Sequence, residues 1–190
     1  MKRIIWFLLI ILGLIVAVGG CVRWPNGPNG NGGTENYQLE ITVEVKGEIN
    51  TDEGMYYIVL DADGNPIDGP GDDVKFWDDD FYYVKLDGMG FYFAQVEEGS
   101  PELQLTDSSY SGNKIQIIIA LSDLEDPSSV DINVLTTDSN NNTYDSLDNG
   151  YFTINTNLGS KPPINDQEND SGEGGVDFDI VKVTAVITTF

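Results

Sequence analysis

Histidine is absent from this chain, and cysteine occurs once, as Cys21. The first absence removes Ser-His-Asp and Cys-His catalysis, His-ligated zinc and His-ligated haem. The second leaves no disulfide and no thiolate metal cluster to support a fold. Positive charge is scarce: 9 Lys and Arg stand against 32 Asp and Glu, a formal net charge of −23. A field of that sign repels nucleic acid and anionic lipid headgroups, so nucleic acid is not an expected partner. No window of helical length keeps a 3.6-residue period, and no apolar run reaches the about 20 residues of a comfortable membrane span. Phosphate loops, G-x-S-x-G and zinc signatures are missing too. Glu40 and Glu44, on the polar face of the first strand, are not singled out as an acid–base pair. The chain is not expected to be an enzyme.

What is there begins with Lys2 and Arg3, an apolar run from Ile4 to Val18, and the sequence Val18-Gly19-Gly20-Cys21. A basic start, an apolar stretch of about 7–15 residues and small residues before a cut mark a secretory signal. The last four residues resemble the lipobox of bacterial lipoproteins, an aliphatic residue and two small ones before a cysteine. That resemblance implies cleavage before Cys21 and diacylglycerol on its thiol. The alternative is an uncleaved anchor helix with an incidental cysteine. Cleavage would leave 170 residues carrying 7 basic and 32 acidic side chains, a formal charge of −25. Attachment to a membrane would then rest on acyl chains, each buried CH₂ contributing about 0.8 kcal/mol.

The expected organisation is a signal peptide over 1–20, a lipidated Cys21 with a flexible tether over 21–36, and one β domain over 37–190. The tether, VRWPNGPNGNGGTEN, is dominated by Pro, Asn and Gly and keeps no apolar period. From Tyr37 the pattern changes: Tyr37, Leu39, Ile41, Val43 and Val45 alternate with polar residues, the period of a half-buried strand. Further strands are predicted over 55–61, 81–86, 90–96, 114–121, 130–137, 151–155 and 178–188, with turn clusters rich in Asp, Asn and Gly between them. One helical turn is predicted at Ser122 to Glu125. Several short strands with frequent turns favour an all-β sandwich or barrel over a βαβ fold. Residues 156–175 hold a Pro pair, Gly, Asn and acids, and read as a mobile insert that the last strand follows.

Two stretches share the spacing D-x-[DN]-x-N-x-x-D: Asp61, Asp63, Asn65 and Asp68, then Asp138, Asn140, Asn142 and Asp145. Alternate carboxylates and amides on a curling loop suit calcium, which takes about 6–8 oxygen ligands. Asp72 and Asp73 lie close to the first loop. Both depart from an EF-hand loop, since Pro66 and Thr143 stand where its turn glycine would, and Asp72 and Asn149 where its final glutamate would. Plain turn chemistry is the competing account, because Asp and Asn make turns without any ion.

Aromatic doublets are the second constellation: Tyr56-Tyr57, Phe76-Trp77, Phe81-Tyr82-Tyr83 and Phe91-Tyr92-Phe93. Neighbours on a strand point to opposite faces, so each doublet sends one ring inward and one outward. Tyr57, Trp77, Tyr82 and Tyr92 are the candidates for an external row that holds a sugar face, with Asp78, Asp79, Asp80 and Gln95 for its hydroxyls. Rings packed under loops or paired across strands are the competing account.

The segments YYIVLDADGNPIDGPGDD, FYYVKLDGMGFYFAQ, KIQIIIALSDLEDPSSVDINVLTTDS and DFDIVKV resemble the sandwich modules of the DOMON and family-9 carbohydrate-binding group. The resemblance implies an antiparallel immunoglobulin-like or jelly-roll β-sandwich whose relatives bind sugar or haem, and haem conflicts with the missing histidine. The resulting expectation is a lipid-anchored, extracytoplasmic lipoprotein of the bacterial cell envelope, a non-catalytic module binding carbohydrate. The rival is a structural or adhesion protein of the envelope with calcium-binding acidic loops. Its partners are then the membrane, through the N-terminal lipid, and either a glycan or another envelope protein.

Overall fold

Leu39, Ile41, Val43 and Val45 are all essentially inaccessible, while the residues between them are half-buried. This alternation seats the first strand, β1 (Tyr37–Val45), on one wall of a β-sandwich. The computed structural model describes residues 36–65, 67–148, 150–157, 164–165 and 174–189. The expected signal peptide, Cys21 and nearly all of the tether lie outside the described residues. Most of the expected insert does too.

The other strands are β2 (Met55–Asp61), β3 (Tyr82–Asp87), β4 (Gly90–Gln95), β5 (Leu103–Gln104) and β6 (Ser109–Ser111). They are followed by β7 (Lys114–Ala120), β8 (Ser129–Thr137), β9 (Thr143–Ser146), β10 (Phe152–Asn155), β11 (Ile164–Asn165) and β12 (Ile180–Thr189). One sheet has the order β11-β12-β1-β7-β6 and the other β10-β8-β2-β3-β4-β5, with β9 also pairing β8. Every pairing is antiparallel. The predicted helical turn is a 3₁₀ turn at Leu121–Leu124, closed by Glu125 in the left-handed region. Within the expected insert, Ile164–Asn165 forms a short edge strand against β12, so that stretch is not wholly without regular structure.

The inner faces of the two sheets share one core, with Ile41, Ile117 and Val183 from the first sheet and Ile58, Val84 and Ile132 from the second. Polar groups at its lower rim are tied across the sheets. Thr136 donates its hydroxyl to the Phe178 carbonyl at 2.8 Å, and the Tyr56 hydroxyl donates to the Asp177 carbonyl at 2.9 Å. Tyr56 also stacks on Phe178, the ring centroids 5.4 Å apart.

A second, smaller apolar cluster lies on the outer face of the second sheet. Tyr57, Val59 and Leu135 supply it from the strands, and Trp77 and Phe81 from the long β2–β3 connection. That connection, residues 62–81, folds back over the strand from which it leaves. It explains why β8 is buried on both faces and reads as SVDINVLTT rather than as a clean alternation.

Candidate acidic site

β2 ends at Asp61, whose side chain points to the outer face like Tyr57 and Val59. The chain then turns sharply. Asp63 N–H donates to Asp61 Oδ1 at 3.0 Å, and Asn65 N–H donates to Asp63 Oδ1 at 2.6 Å. These paired Asx turns curl the loop so that Asp61, Asp63 and Asp68 each bring a carboxylate oxygen within 4.8 Å of the others. Two oxygens bound to one calcium ion lie at most about 5 Å apart, given metal–oxygen distances of about 2.3–2.6 Å. The trio meets that spacing. Next to Asp68 the loop lies so close to Tyr151 that a Cβ on Gly69 would sit 2.6 Å from its ring.

Beneath the trio is a residue that no motif pointed to. Asp131 on β8 is the register partner of Asp61 on β2, and both are buried, with 4% and 3% of their surface exposed. Burial pushes the Asp61 carboxyl up to about 6; the Asp63 amide opposes this, and the charges of Asp63, Asp131 and Asp80 add to it. Asp131 is raised in the same sense, first by burial and then by the charges of Asp63 and Asp68, against a hydrogen bond with Thr153. Among the described residues, no positive charge relieves this cluster. Each described lysine is engaged elsewhere: Lys46 with Asp179, Lys85 with Asp87 and Glu102, Lys114 and Lys182 with Glu44, and Lys75 with Asn142.

Asp72, Asp138, Asn140, Asn142 and Asp145 do not join the trio. Asp72 is exposed and gives only its carbonyl, to the Thr143 hydroxyl at 2.8 Å. Asp138 Oδ1 accepts from the Asn140 and Asn142 amides, and Oδ2 from the Asn142 side chain. Those bonds hold its carboxyl below the usual carboxylate range. Asp145 turns away, accepting from the Ile180 amide at 2.6 Å. The second D-x-N-x-N loop is thus closed on its own backbone, and the trio is the sole acidic cluster of metal-ligand spacing among the described residues.

The expected external aromatic row is not formed. Tyr57 and Trp77 are 6% and 8% exposed and pack edge to face at 5.5 Å under the 62–81 connection. Tyr82 points to the sandwich interior, stacked on Phe93 at 5.7 Å. Tyr92 does face outward, half-buried beneath Lys85 Nζ at 5.2 Å from its centroid. Neighbouring strand rings do take opposite faces, but Tyr82 takes the inner face rather than the expected outer one, and Tyr57 and Trp77 follow the competing account of rings packed under a loop.

No protein-family model matches this chain, and no curated protein matches it either.

Proposed function

We propose that this chain is a lipid-anchored, extracytoplasmic module of the bacterial cell envelope, structural or adhesive rather than catalytic, whose first acidic loop takes a divalent cation of the calcium type. The observation that carries the cation is the convergence of the Asp61, Asp63 and Asp68 oxygens within 4.8 Å. The anchor rests on the sequence alone: the basic start, the apolar run and Gly19-Gly20 before the single cysteine. Calcium is preferred to the carbohydrate reading because Tyr57 and Trp77 are covered and Tyr82 is turned inward, so that Tyr92 alone of the four rings faces outward. Oxygen-only ligands suit a hard cation. Nothing in the trio offers the nitrogen or sulfur that zinc or copper favours.

The anchor is tested by mass spectrometry of the protein from a membrane fraction. Acylated Cys21 at the N-terminus is expected, and Cys21→Ser should leave the unprocessed precursor. An intact Met1 terminus on the wild-type protein rules the anchor out.

The cation is tested by thermal melts of residues 35–190, a compact unit by itself. A ligand that binds the folded state alone stabilises by about 2.7 kcal/mol at a hundredfold excess over Kd. For a domain of this size that is a rise of about 5–10 °C in Tm. Magnesium and matched ionic strength control for general screening of the negative charge. If calcium does no more than they do, or if Asp61→Ala with Asp63→Ala keeps the gain, the loop is a turn and nothing more.

A further inference from the structure

We propose that Asp131 contributes an oxygen to the coordination of the cation held by Asp61, Asp63 and Asp68, so that the ion fastens the start of the 62–81 connection to β8. This rests on the cation reading above and adds a residue from a distant strand, one outside the 4.8 Å spacing of the trio that closes on the ion as it binds.

Asp131 Oδ1 is buried without a hydrogen-bond partner among the described residues, on a side chain 96% removed from solvent. Its alternation along β8, opposite to Val130 and Ile132 in the core, sends it to the outer face. There it stands directly across from Asp61. Thr153, its register partner on the other side, hydrogen-bonds to the carboxylate. That leaves Oδ1 as the orphan.

A buried oxygen acceptor with no donor is costly to keep. The charges that act on it, those of Asp63 and Asp68, are of its own sign, which makes the arrangement worse unless a cation lies among them. Two residues further along β8, Asn133 donates to the carbonyls of Pro70 and Gly71 at 3.0 and 3.2 Å. The same strand therefore already holds the middle of the connection. A cation on Asp131 would hold its beginning.

The test is calorimetric titration of calcium into residues 35–190, with melts in chelator and in millimolar calcium at matched ionic strength. Asp131→Asn keeps the volume and removes the charge. Asp107→Asn, an exposed acid on the β5–β6 connection, controls for net charge. Wild type and Asp107→Asn should bind alike, and Asp131→Asn about tenfold more weakly, since affinity follows the charge count of the ligands.

The melts should invert in sign. Asp131→Asn should raise Tm in chelator, by removing buried like-charge repulsion, and lower it in calcium relative to wild type. Wild-type binding with an unchanged Asp131→Asn affinity, or a variant that melts higher in both buffers, overturns the assignment of Asp131 and leaves the trio standing. A wild-type protein that binds no calcium overturns both.

Discussion

A chain ending at Asp177 should show no cooperative melt. The missing segment would include β12, which lies in the first sheet between β11 and β1 and pairs with β1 along its whole length, from Tyr37↔Thr189 to Val45↔Ile180. Phe178, Ile180, Val183 and Ile187 are buried in the common core, and burying each is worth roughly 1.5–3 kcal/mol. Losing all four, about 6–12 kcal/mol, is comparable with the whole stability of a typical domain, about 5–15 kcal/mol.

The polar losses fall on the same side. The Thr136 hydroxyl, inside the core, would lose its acceptor on Phe178, and the Asp145 carboxylate would lose the Ile180 amide. The Lys46–Asp179 ion pair, 2.8 Å between Nζ and Oδ2, would vanish. β1 would become an edge strand, with the backbone groups that faced β12 unpaired and open to association with other chains. Far-UV circular dichroism and a thermal melt check this, and a cooperative transition within a few degrees of the full domain would refute it.

Much of this architecture was legible because half-burial writes itself into sequence. β1, β2, β3, β4, β7, β8, β10 and β12 fall where alternating or continuous apolar runs placed them, with ends differing by one or two residues. The strands that escaped are β5, β6, β9 and β11, of two to four residues each. β5 and β6 are fully exposed and β9 is half-buried throughout, so none of the three has a hydrophobic face to register. They exist because a neighbouring strand offers its edge, and that information is not local.

The acidic site was legible only in part. Identical spacing marked two loops, yet backbone amides satisfy Asp138 while the carboxylates of Asp61, Asp63 and Asp68 converge. What separates them is the floor: Asp61 is buried beside Asp131, whereas Asp138 is only half-buried. Asp131 stands in a run that reads simply as a strand, and only the β2–β8 register brings it opposite Asp61.

The covered aromatic face has a similar lesson. Trp77 and Phe81 are large apolar residues in a connection otherwise rich in Gly, Pro and Asp, and such residues need something to cover. Of the two accounts the sequence left open for Trp77, an exposed platform or a ring packed under a loop, the structure takes the second.

Trp77→Ala should lower stability by about 3–5 kcal/mol, the usual cost of truncating a buried tryptophan. In a domain of this size that is a fall of roughly 6–20 °C in Tm. Trp77 packs on Tyr57 at 5.5 Å and Tyr83 at 6.2 Å between centroids. Its indole N–H donates to the Gly71 carbonyl at 3.0 Å, the same oxygen that Asn133 reaches from β8. Without the indole, the connection keeps few apolar contacts of its own, and the Tyr57 hydroxyl, bonded to Asn141 at 3.0 Å, becomes open to water.

Phe76 is the internal control, a neighbouring aromatic residue that is 82% exposed. Phe76→Ala should change stability by no more than about 0.5 kcal/mol, as surface substitutions do. Limited proteolysis adds a local readout, since Trp77→Ala should make the 62–81 connection the first site cut. Equal melts for the two variants, with unchanged cleavage, would mean that the connection lies on the sheet without holding to it.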